Sequence, residues 1–386
     1  MRTVCIILAG AILALTACQR PPEVIPPDPD PVPGDTLSAD TVTAAFVPTV
    51  GGTFPGPGDI YEIGTLPWPG ATGFRIYDTC QTALWPVICG NLDGCPEVWD
   101  DVSELGPVFN PWDSCEVAYL RMPGTDYTNV SLWYLNLCTG ERRFLASQVA
   151  GSASWGPRGH LVFSSYGAIW RIHVSGDDLV RLITPPVWPA VSGSPFYTRP
   201  GYSPDGSRIA FNVQDKGIWI ASATGDIQDS LPLAGTLIAN VMWDKSGDNI
   251  ICGIGSGIGV VDLGTKQVTP ILNIPFRLAE HQGMCLSPDG RYLYSIGQIH
   301  VSGHIYGAPF HIWKTDLTTG VHTIAVPEVS RCINQTYQHL SISPGGGWMI
   351  TQMRFTRYLG DRLFYRDFRL ALIRLPDGQA WMGEYE

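Results

Sequence analysis

Hydrophobic residues along this chain are grouped in short runs that are separated by turn residues. The run RIAFN at residues 208–212 and the run GIWIA at 217–221 are rich in β-branched and aromatic residues, which half-buried strands favour. No stretch has the 3.6-residue period of a long amphipathic helix. The pattern therefore predicts an all-β protein.

A turn motif separates these runs and returns along the chain. In its best form it reads Tyr202-Ser203-Pro204-Asp205-Gly206, where Pro presets the turn, Asp hydrogen-bonds locally and Gly tolerates positive φ. Its six occurrences, 41 to 56 residues apart, begin at Phe109, Trp155, Tyr202, Trp243, Leu286 and Ile342. Self-similarity at this period predicts a propeller or a solenoid.

Each repeat holds enough apolar runs for four strands, which make one blade. A lone blade leaves both faces in water, so several blades must stack around an axis. We predict a β-propeller of six four-stranded blades at residues 104–386. Residues 42–103, which are rich in Cys, contain strand-like pieces at 59–63 and 73–77. This segment closes the ring by pairing with the last blade or, alternatively, forms a degenerate seventh blade.

The repeat resembles the WD-like repeat of the TolB-type propellers, periplasmic proteins whose blades read aromatic-Ser-Pro-Asp-Gly-x-x-Ile-Ala-Phe. The resemblance covers roughly residues 104–386. It is closest at 202–221 and 286–294 and loosest at 243–247, which lacks the proline. It implies the fold and the compartment. The separate N-terminal α/β domain of TolB has no counterpart in residues 35–103, so the Tol-Pal function is not implied.

The N-terminus reads as a lipoprotein signal. Arg2 precedes an apolar run at residues 4–15 that is too short to span a bilayer. The sequence Leu15-Thr16-Ala17-Cys18 resembles the bacterial lipobox, which implies removal of residues 1–17 and lipid on Cys18. Residues 18–41 then form a Pro-rich linker. Since Gln19 is not the Asp typical of inner-membrane retention, we expect an outer-membrane anchor in the cell envelope, facing the periplasm or the surface.

The chain is acidic, with a formal net charge of −11, which argues against nucleic acid as a partner and against a general anionic-membrane surface. One segment near the C-terminus is an exception, because it carries Arg354, Arg357, Arg362, Arg366, Arg369 and Arg374. Two interpretations stay open. The segment is a solvated hairpin balanced by Asp361 and Asp367, or it is a contact patch for an anion.

Ten cysteines are present. Without Cys5 and the lipidated Cys18, eight remain, and an even number in an oxidising compartment indicates disulfides. Cys115 opens one strand and Cys138 closes the next, so a hairpin would bring them together. The connectivity of the others stays open: Cys80, Cys89, Cys95, Cys252, Cys285 and Cys332. Their spacing does not match a zinc site, and no metal is predicted.

The residues before each turn lie on the innermost strands, which frame the axial channel. Alignment of the repeats places Ser152, Arg199, Asn240, Gly283 and His339 at one depth. Convergent polar groups with aromatic walls suit a ligand funnel. The candidate ligand site at the channel mouth comprises Arg199, Asn240, His281, Gln282, Tyr337, Gln338 and His339, with Tyr197 as a further wall. The alternative is that these residues are merely hydrated.

Motifs of familiar catalysis are missing from the sequence. It has no Gly-x-Ser-x-Gly elbow and no phosphate loop between a strand and a helix, so no catalytic residue and no cofactor is predicted. Oligogalacturonate lyases are propellers with related repeats that hold manganese by His and Gln. Residues 335–339 and 281–282 resemble that set, but Tyr337 stands where a second histidine is expected. His300, His304 and His311 are predicted to be surface residues.

The sequence supports three functions. The first is a lipid-anchored binding or scaffold propeller for an envelope protein or a glycan. The second is a polysaccharide-active or metal-dependent enzyme with its site in the funnel. The third is a purely structural envelope protein. The acidic surface, the missing catalytic motifs and the Pro-rich stalk favour the first.

Overall fold

The structure consists of short antiparallel strands joined by tight turns. It is a computed structural model that describes residues 60–63, 102–123, 129–184, 197–213, 216–233, 238–254, 257–271, 276–278, 283–299, 310–326, 336–359 and 362–375. These residues all belong to one compact unit, Pro31–Glu386. Within them the helical structure is a single 3-10 turn, Pro157–Gly159, and no helix is long and apolar enough to cross a membrane.

Twenty-five strands are described. In chain order they are β1 (Ile60–Ile63), β2 (Val102–Asn110), β3 (Asp113–Pro123), β4 (Ser131–Asn136), β5 (Arg142–Ser147), β6 (Val149–Gly156), β7 (His160–Ser165), β8 (Ala168–His173), β9 (Val180–Ile183), β10 (Tyr197–Tyr202), β11 (Arg208–Val213), β12 (Gly217–Ser222), β13 (Ile227–Leu231), β14 (Ile238–Trp243), β15 (Asn249–Ile254), β16 (Gly257–Asp262), β17 (Val268–Ile271), β18 (Phe276–Leu278), β19 (Met284–Leu286), β20 (Tyr292–Ile299), β21 (Phe310–Asp316), β22 (His322–Val326), β23 (Thr336–Ile342), β24 (Trp348–Leu359) and β25 (Arg362–Arg374).

The strands form six antiparallel blades. Blades 1 to 4 are β2–β5, β6–β9, β10–β13 and β14–β17, each in simple sequential order. In blade 5 the inner strand is interrupted, so β18 and β19 both pair with β20, followed by β21 and β22. Blade 6 is β23, β24 and β25. The prediction of an all-β propeller with six blades is confirmed.

The ring is closed by the N-terminal part of the chain. Strand β1 pairs antiparallel with β25, from Ile60 opposite Ile373 to Ile63 opposite Leu370, and so becomes the outermost strand of blade 6. One blade therefore contains both the earliest and the latest described strands. Of the two roles predicted for residues 42–103, the structure shows ring closure by β1, and the described strands form six blades.

The core is divided into six apolar clusters, one between each pair of neighbouring blades. Successive residues of a strand point to opposite faces, so Ile209 packs in the cluster shared with blade 2 while Ala210 packs in the one shared with blade 4. Phe109 of blade 1 packs with Trp348 of blade 6. Each blade thus depends on both neighbours for the burial of its two faces.

The aromatic position of the repeat motif ties neighbouring blades together. The indole of Trp155 donates a hydrogen bond to the Val108 carbonyl of the preceding blade, at 2.9 Å from Nε1 to O. Trp243 makes the same bond to the Gly201 carbonyl, also at 2.9 Å. The motif residue therefore satisfies a backbone group across the interface as well as filling the core.

The serine of the motif holds its own turn. The Ser203 hydroxyl accepts a hydrogen bond from the Arg208 amide at 2.9 Å, and the equivalent Ser287 accepts from Tyr292 at 2.9 Å. In the repeat that departs most from the pattern, the Asp244 carboxylate accepts from the Asn249 amide at 3.1 Å. Asp244 therefore accepts the hydrogen bond that a serine accepts in the other two repeats.

The motif glycine is fixed by a contact between blades. Gly206 has a φ of +69°, and a Cβ added to it would lie 2.0 Å from Cγ of Pro157, the motif proline of the preceding blade. The motif glycines of blades 4 and 6 also lie against the motif proline of the preceding blade. A Cβ added to Gly247 would be 3.7 Å from Cδ of Pro204, and one added to Gly346 would be 3.6 Å from Cδ of Pro288. The turns thus stack around the ring.

Cys115 and Cys138, the pair predicted from the hairpin, are joined by a disulfide with Cα atoms 5.4 Å apart. Cys252 and Cys285, whose connectivity the sequence left open, are free thiols. They lie on β15 and β19 in different blades, and Cys252 packs in the apolar cluster between blades 3 and 4. The remaining cysteines lie outside the described residues.

We expect Gly206→Ala to destabilise the protein more than Gly320→Ala. Both glycines have nearly the same φ, +69° and +71°, but Gly320 has nothing within 4 Å of a virtual Cβ. The control substitution therefore reports backbone strain alone, about 1 kcal/mol, whereas Gly206→Ala adds a clash with Pro157 that costs roughly 1–3 kcal/mol more. Urea unfolding of both variants measures the difference. Equal losses of the free energy of unfolding in the two variants would contradict stacking of the turns.

Candidate functional site

Each fully described inner strand contains an irregularity near its start. The pairing register shifts between Leu105 and Val108, Ala150 and Ser154, Thr198 and Gly201, Ala239 and Met242, and Gln338 and Leu340. We call the end of the ring at which the inner strands begin the channel mouth. β-Bulges that re-aim side chains are common beside functional sites. The bulges therefore mark one level of the channel, near its mouth.

Four of these bulges contain a residue with left-handed backbone geometry. Gly106 in blade 1 and Gly151 in blade 2 have φ values of +51° and +80°, as glycine tolerates. At the same level blade 3 has Arg199 at +68° and blade 6 has His339 at +52°. This left-handed geometry costs free energy in residues other than glycine, and the residues that adopt it cluster at ligand sites. Arg199 and His339 are thus the two unusual members of a repeated position.

Neighbouring bulges touch one another. A virtual Cβ on Gly151 would lie 3.5 Å from the Arg199 amide nitrogen, and one on Gly106 would lie 3.8 Å from Cβ of Ser152. On the other side of the ring, a virtual Cβ on Gly283 would overlap the His339 backbone, at 2.4 Å from its Cα. A side chain at Gly283 would overlap the His339 backbone, whereas one at Gly151 would be in ordinary van der Waals contact with Arg199.

A chain of amides joins blade 6 to blade 1 at this level. The Gln352 amide donates to Oε1 of Gln338 at 3.0 Å, and Oε1 of Gln352 accepts from the Gly106 amide at 3.0 Å. The Thr351 hydroxyl donates to the Gln338 carbonyl at 3.1 Å. Gln352 is 2% exposed, so these bonds hold the blade 1 bulge in place. Sequence reasoning missed Gln352, although a glutamine within an apolar strand was a signal.

The structure places the predicted site residues in different surroundings. Arg199 is partly buried, and loss of water lowers the pKa of its guanidinium. Gln338 and His339 are partly exposed on β23. Asn240 lies on β14 at the bulge of blade 4. Two predicted residues, His281 and Gln282, lie outside the described residues.

Tyr337 does not line the channel as predicted. Its side chain is 2% exposed and packs in the apolar cluster between blades 5 and 6 with Tyr294 and Met349. Because adjacent residues of a strand face opposite ways, Tyr337 turns into the blade interface. The prediction for this residue is wrong, and Gln338 and His339 remain as the β23 candidates.

A buried ion pair in blade 1 was also missed from the sequence. The Glu104 carboxylate is fully buried on the inner strand and pairs with the Arg142 guanidinium at 2.9 Å. The same nitrogen of Arg142 lies 3.4 Å from the Tyr119 hydroxyl. Burial, assisted by the nearby carboxylate, raises the pKa of Tyr119. The buried Arg142 guanidinium thus contacts both the Glu104 carboxylate and the Tyr119 hydroxyl, which indicates a structural role for these three groups.

The lyase interpretation needs histidine and glutamine ligands for manganese. Oε1 of Gln338 accepts a hydrogen bond from Gln352, which leaves one lone pair on this oxygen. In the part of the chain that the structure describes, no group of three His, Cys, Asp or Glu side chains could hold a metal ion. His281, Gln282 and Gln335 lie outside that part. No reaction step through a metal is derived.

His311, predicted on the surface, is buried. It is 2% exposed on β21, and its ring lies edge-on to Trp313 with centroids 6.1 Å apart. Burial lowers its pKa to about 4. His311 pairs with Gly297 on the neighbouring strand, which places it inside blade 5. The other two histidines of that group, His300 and His304, lie outside the described residues.

Comparison with solved structures gives other β-propellers, among them TolB-type proteins, all at low identity. TolB from Acinetobacter baumannii is 17% identical, with 72% of this chain and 55% of that chain covered and a TM-score of 0.32. A TolB from Agrobacterium tumefaciens is 16% identical over 61% and 94%, with a TM-score of 0.42. An oligogalacturonate lyase in complex with manganese is 13% identical over 72% and 92%, with a TM-score of 0.43.

This chain therefore spans about half the length of the Acinetobacter protein. No protein-family model matches the sequence, and no curated protein is similar to it. At these identities the likeness concerns the fold alone. The function has to be argued from the residues at the channel mouth.

We expect His311 to make the protein less stable in mild acid. Its pKa in the folded state is below the ordinary value of about 6.5, so the unfolded state binds the proton more readily. The stability contributed at neutral pH is lost as the pH falls from about 6.5 towards 4, at up to about 1.4 kcal/mol per pH unit. Urea unfolding of the parent and of His311→Phe at several pH values measures this. If the free energy of unfolding of His311→Phe fell with pH as steeply as that of the parent, the assignment would be contradicted.

Proposed function

We propose that this chain is a lipid-anchored cell-envelope propeller that binds a protein or glycan partner at its channel mouth. The six-bladed ring supplies a rigid frame, and its inner strands bring backbone bulges to one level of the channel. Ligand sites built on rigid elements hold their groups more accurately than sites built on loops. The bulge level is therefore the part of the fold best suited to binding.

The observation that carries this proposal is the geometry of Arg199 and His339. Both are left-handed at positions where blades 1 and 2 have glycine, and a strained residue of this kind points to a functional constraint. Blades 3 and 6 are three places apart in a ring of six, so they face each other across the axis. A ligand at the axis would meet a guanidinium on one side and an imidazole on the other.

The chemistry of this pair suits binding. Guanidinium groups hold carboxylates and phosphates by paired hydrogen bonds, and imidazole donates or accepts one. Acidic side chains of a protein and the hydroxyl and carboxylate groups of a glycan are matching ligands.

The cellular place of the protein is part of the proposal. Cys18 would carry the lipid, and the Pro-rich residues 19–34 would hold the propeller away from the membrane, since Pro-rich chain is extended and semi-rigid. Two or more acyl chains make a stable anchor. The acidic surface makes nucleic acid an unsuitable partner.

We expect the double variant Arg199→Gly, His339→Gly to be more stable than the parent but to bind less well. Glycine relieves the left-handed strain, by about 1 kcal/mol at each position, and removes the groups proposed to hold the ligand. Thermal unfolding measures the first effect. Binding to a panel of envelope proteins and glycan fragments, measured by calorimetry, should fall at least tenfold for every hit, about 1.4 kcal/mol.

The matched control is Asp178→Gly. Asp178 is also left-handed, at a φ of +56°, but it lies in the exposed turn between β8 and β9, away from the inner strands. This variant should gain similar stability and keep the parent affinity. Hits that bind the double variant as tightly as the parent would exclude the channel mouth as the ligand site.

Anchoring is tested separately. We expect the parent protein to sediment with outer membranes after cell fractionation and a high-salt wash, whereas Cys18→Ser should then be found in the soluble fraction, because the acylated sulfur is lost. Immunoblots of the fractions measure this. The same soluble distribution for both proteins would refute the anchor without affecting the ligand site.

A further inference from the structure

The longest strands of the protein project beyond their blade. β24 and β25 pair from Trp348 opposite Arg374 to Leu359 opposite Arg362. On one side β23 accompanies β24 only as far as Thr336, opposite Arg354. On the other side β1 accompanies β25 only over Leu370–Ile373. Residues 355–359 and 362–367 therefore pair only with each other in the described structure. We call this two-stranded extension the arginine ribbon.

The arginine ribbon stands at the channel mouth. β24 runs antiparallel to β23, and the ribbon continues past Thr336, the first residue of β23. That is the end of the ring at which the inner strands begin. The ribbon is thus an extension of blade 6, the blade that carries His339, and it starts at Phe355, past the last pair that β24 makes with β23.

The composition of the ribbon differs from that of the rest of the chain. The ribbon carries three arginines, Arg357, Arg362 and Arg366, and one aspartate, Asp367, in a protein with a formal net charge of −11, and Arg354 and Arg369 flank it. The backbone register places Arg357 opposite Tyr365 and Arg366 opposite Thr356. Since adjacent strand positions lie on opposite faces, each face of the ribbon carries an arginine position. Positive charge is therefore not confined to one side.

The far end of the ribbon is rich in aromatic and aliphatic residues. Tyr358 and Leu359 end one strand, and Leu363, Phe364 and Tyr365 lie near the start of the other. Apolar and aromatic residues flanked by arginine are typical of segments that meet the membrane–water interface. Basic residues there are attracted by anionic lipid headgroups. A soluble acidic glycan would match the arginines and the aromatic rings but not the aliphatic Leu359 and Leu363.

We propose that the arginine ribbon docks on the surface of an anionic phospholipid bilayer. Charge complementarity supplies the attraction, and the apolar end supplies residues that the interface accepts. The ribbon would be a second membrane contact, independent of any lipid on Cys18 and distinct from the ligand site of Arg199 and His339. It would turn the channel mouth towards the membrane.

The test uses the full chain carrying Cys18→Ser, so that no acyl group masks the ribbon. Cosedimentation is measured with vesicles of equimolar phosphatidylglycerol and phosphatidylcholine and with vesicles of phosphatidylcholine alone. We expect binding to the anionic vesicles only, weakened by added salt because surface charges are screened. Arg357→Glu with Arg366→Glu should reduce this binding at least tenfold.

Three controls make the result specific. Arg158→Glu with Arg181→Glu makes the same change of charge at exposed positions of blade 2 and should bind like the parent. Arg357→Lys with Arg366→Lys keeps the charge and should retain most of the binding. Arg199→Gly with His339→Gly should bind vesicles normally, which separates this proposal from the ligand site. Thermal unfolding checks that the ribbon variants are folded.

Several outcomes would overturn the proposal. Equal binding to both vesicle types, or undiminished binding by the glutamate variant of the ribbon, would show that the ribbon does not read anionic lipid. Tighter binding to soluble polyglutamate than to the vesicles, lost in the same variant, would instead assign the ribbon to an acidic protein partner. Tighter binding to polygalacturonate would assign it to an acidic glycan.

Discussion

The burial of apolar surface between neighbouring blades is the interaction on which the rest of the structure depends. Every strand has two faces, and adjacent residues such as Ile209 and Ala210 belong to the clusters on opposite sides of the same blade. Removing one blade would expose one face on each of two others. The ring is therefore cooperative, and the channel exists because all six interfaces close at once.

The repeat motif serves the same interaction. Its serine or aspartate holds the turn, as Ser203 and Asp244 do. In two repeats its tryptophan, Trp155 or Trp243, donates a hydrogen bond to the preceding blade. Its glycine leaves room for the proline of that blade, as Gly206 does for Pro157. A motif of five residues is thus both a local turn and a joint. This double use explains why glycine returns at this position even in the repeat that lacks the proline.

Much of the fold could be predicted because the motif and the strand period are local properties of the sequence. The six blades followed from the repeat, and the Cys115–Cys138 disulfide followed from one hairpin. The site was harder, because the face on which a residue lies depends on the bulge beside it. Tyr337 precedes the bulge of β23 and lies in a blade interface, whereas Gln338 and His339 at the bulge are partly exposed. The free thiols of Cys252 and Cys285 and the bond from Gln352 to Gln338 depend on contacts between strands that no spacing shows.

Closure by β1 has a mechanical consequence. Among the described residues, the strand that seals the ring is held by four residue pairs, Ile60–Ile63 against Leu370–Ile373, and it is the first described strand after the stretch of chain that begins at Cys18. Tension applied along that chain would be carried first by this short ladder. Under load the molecule would begin to open at the pairing of β1 with β25, rather than within any single blade.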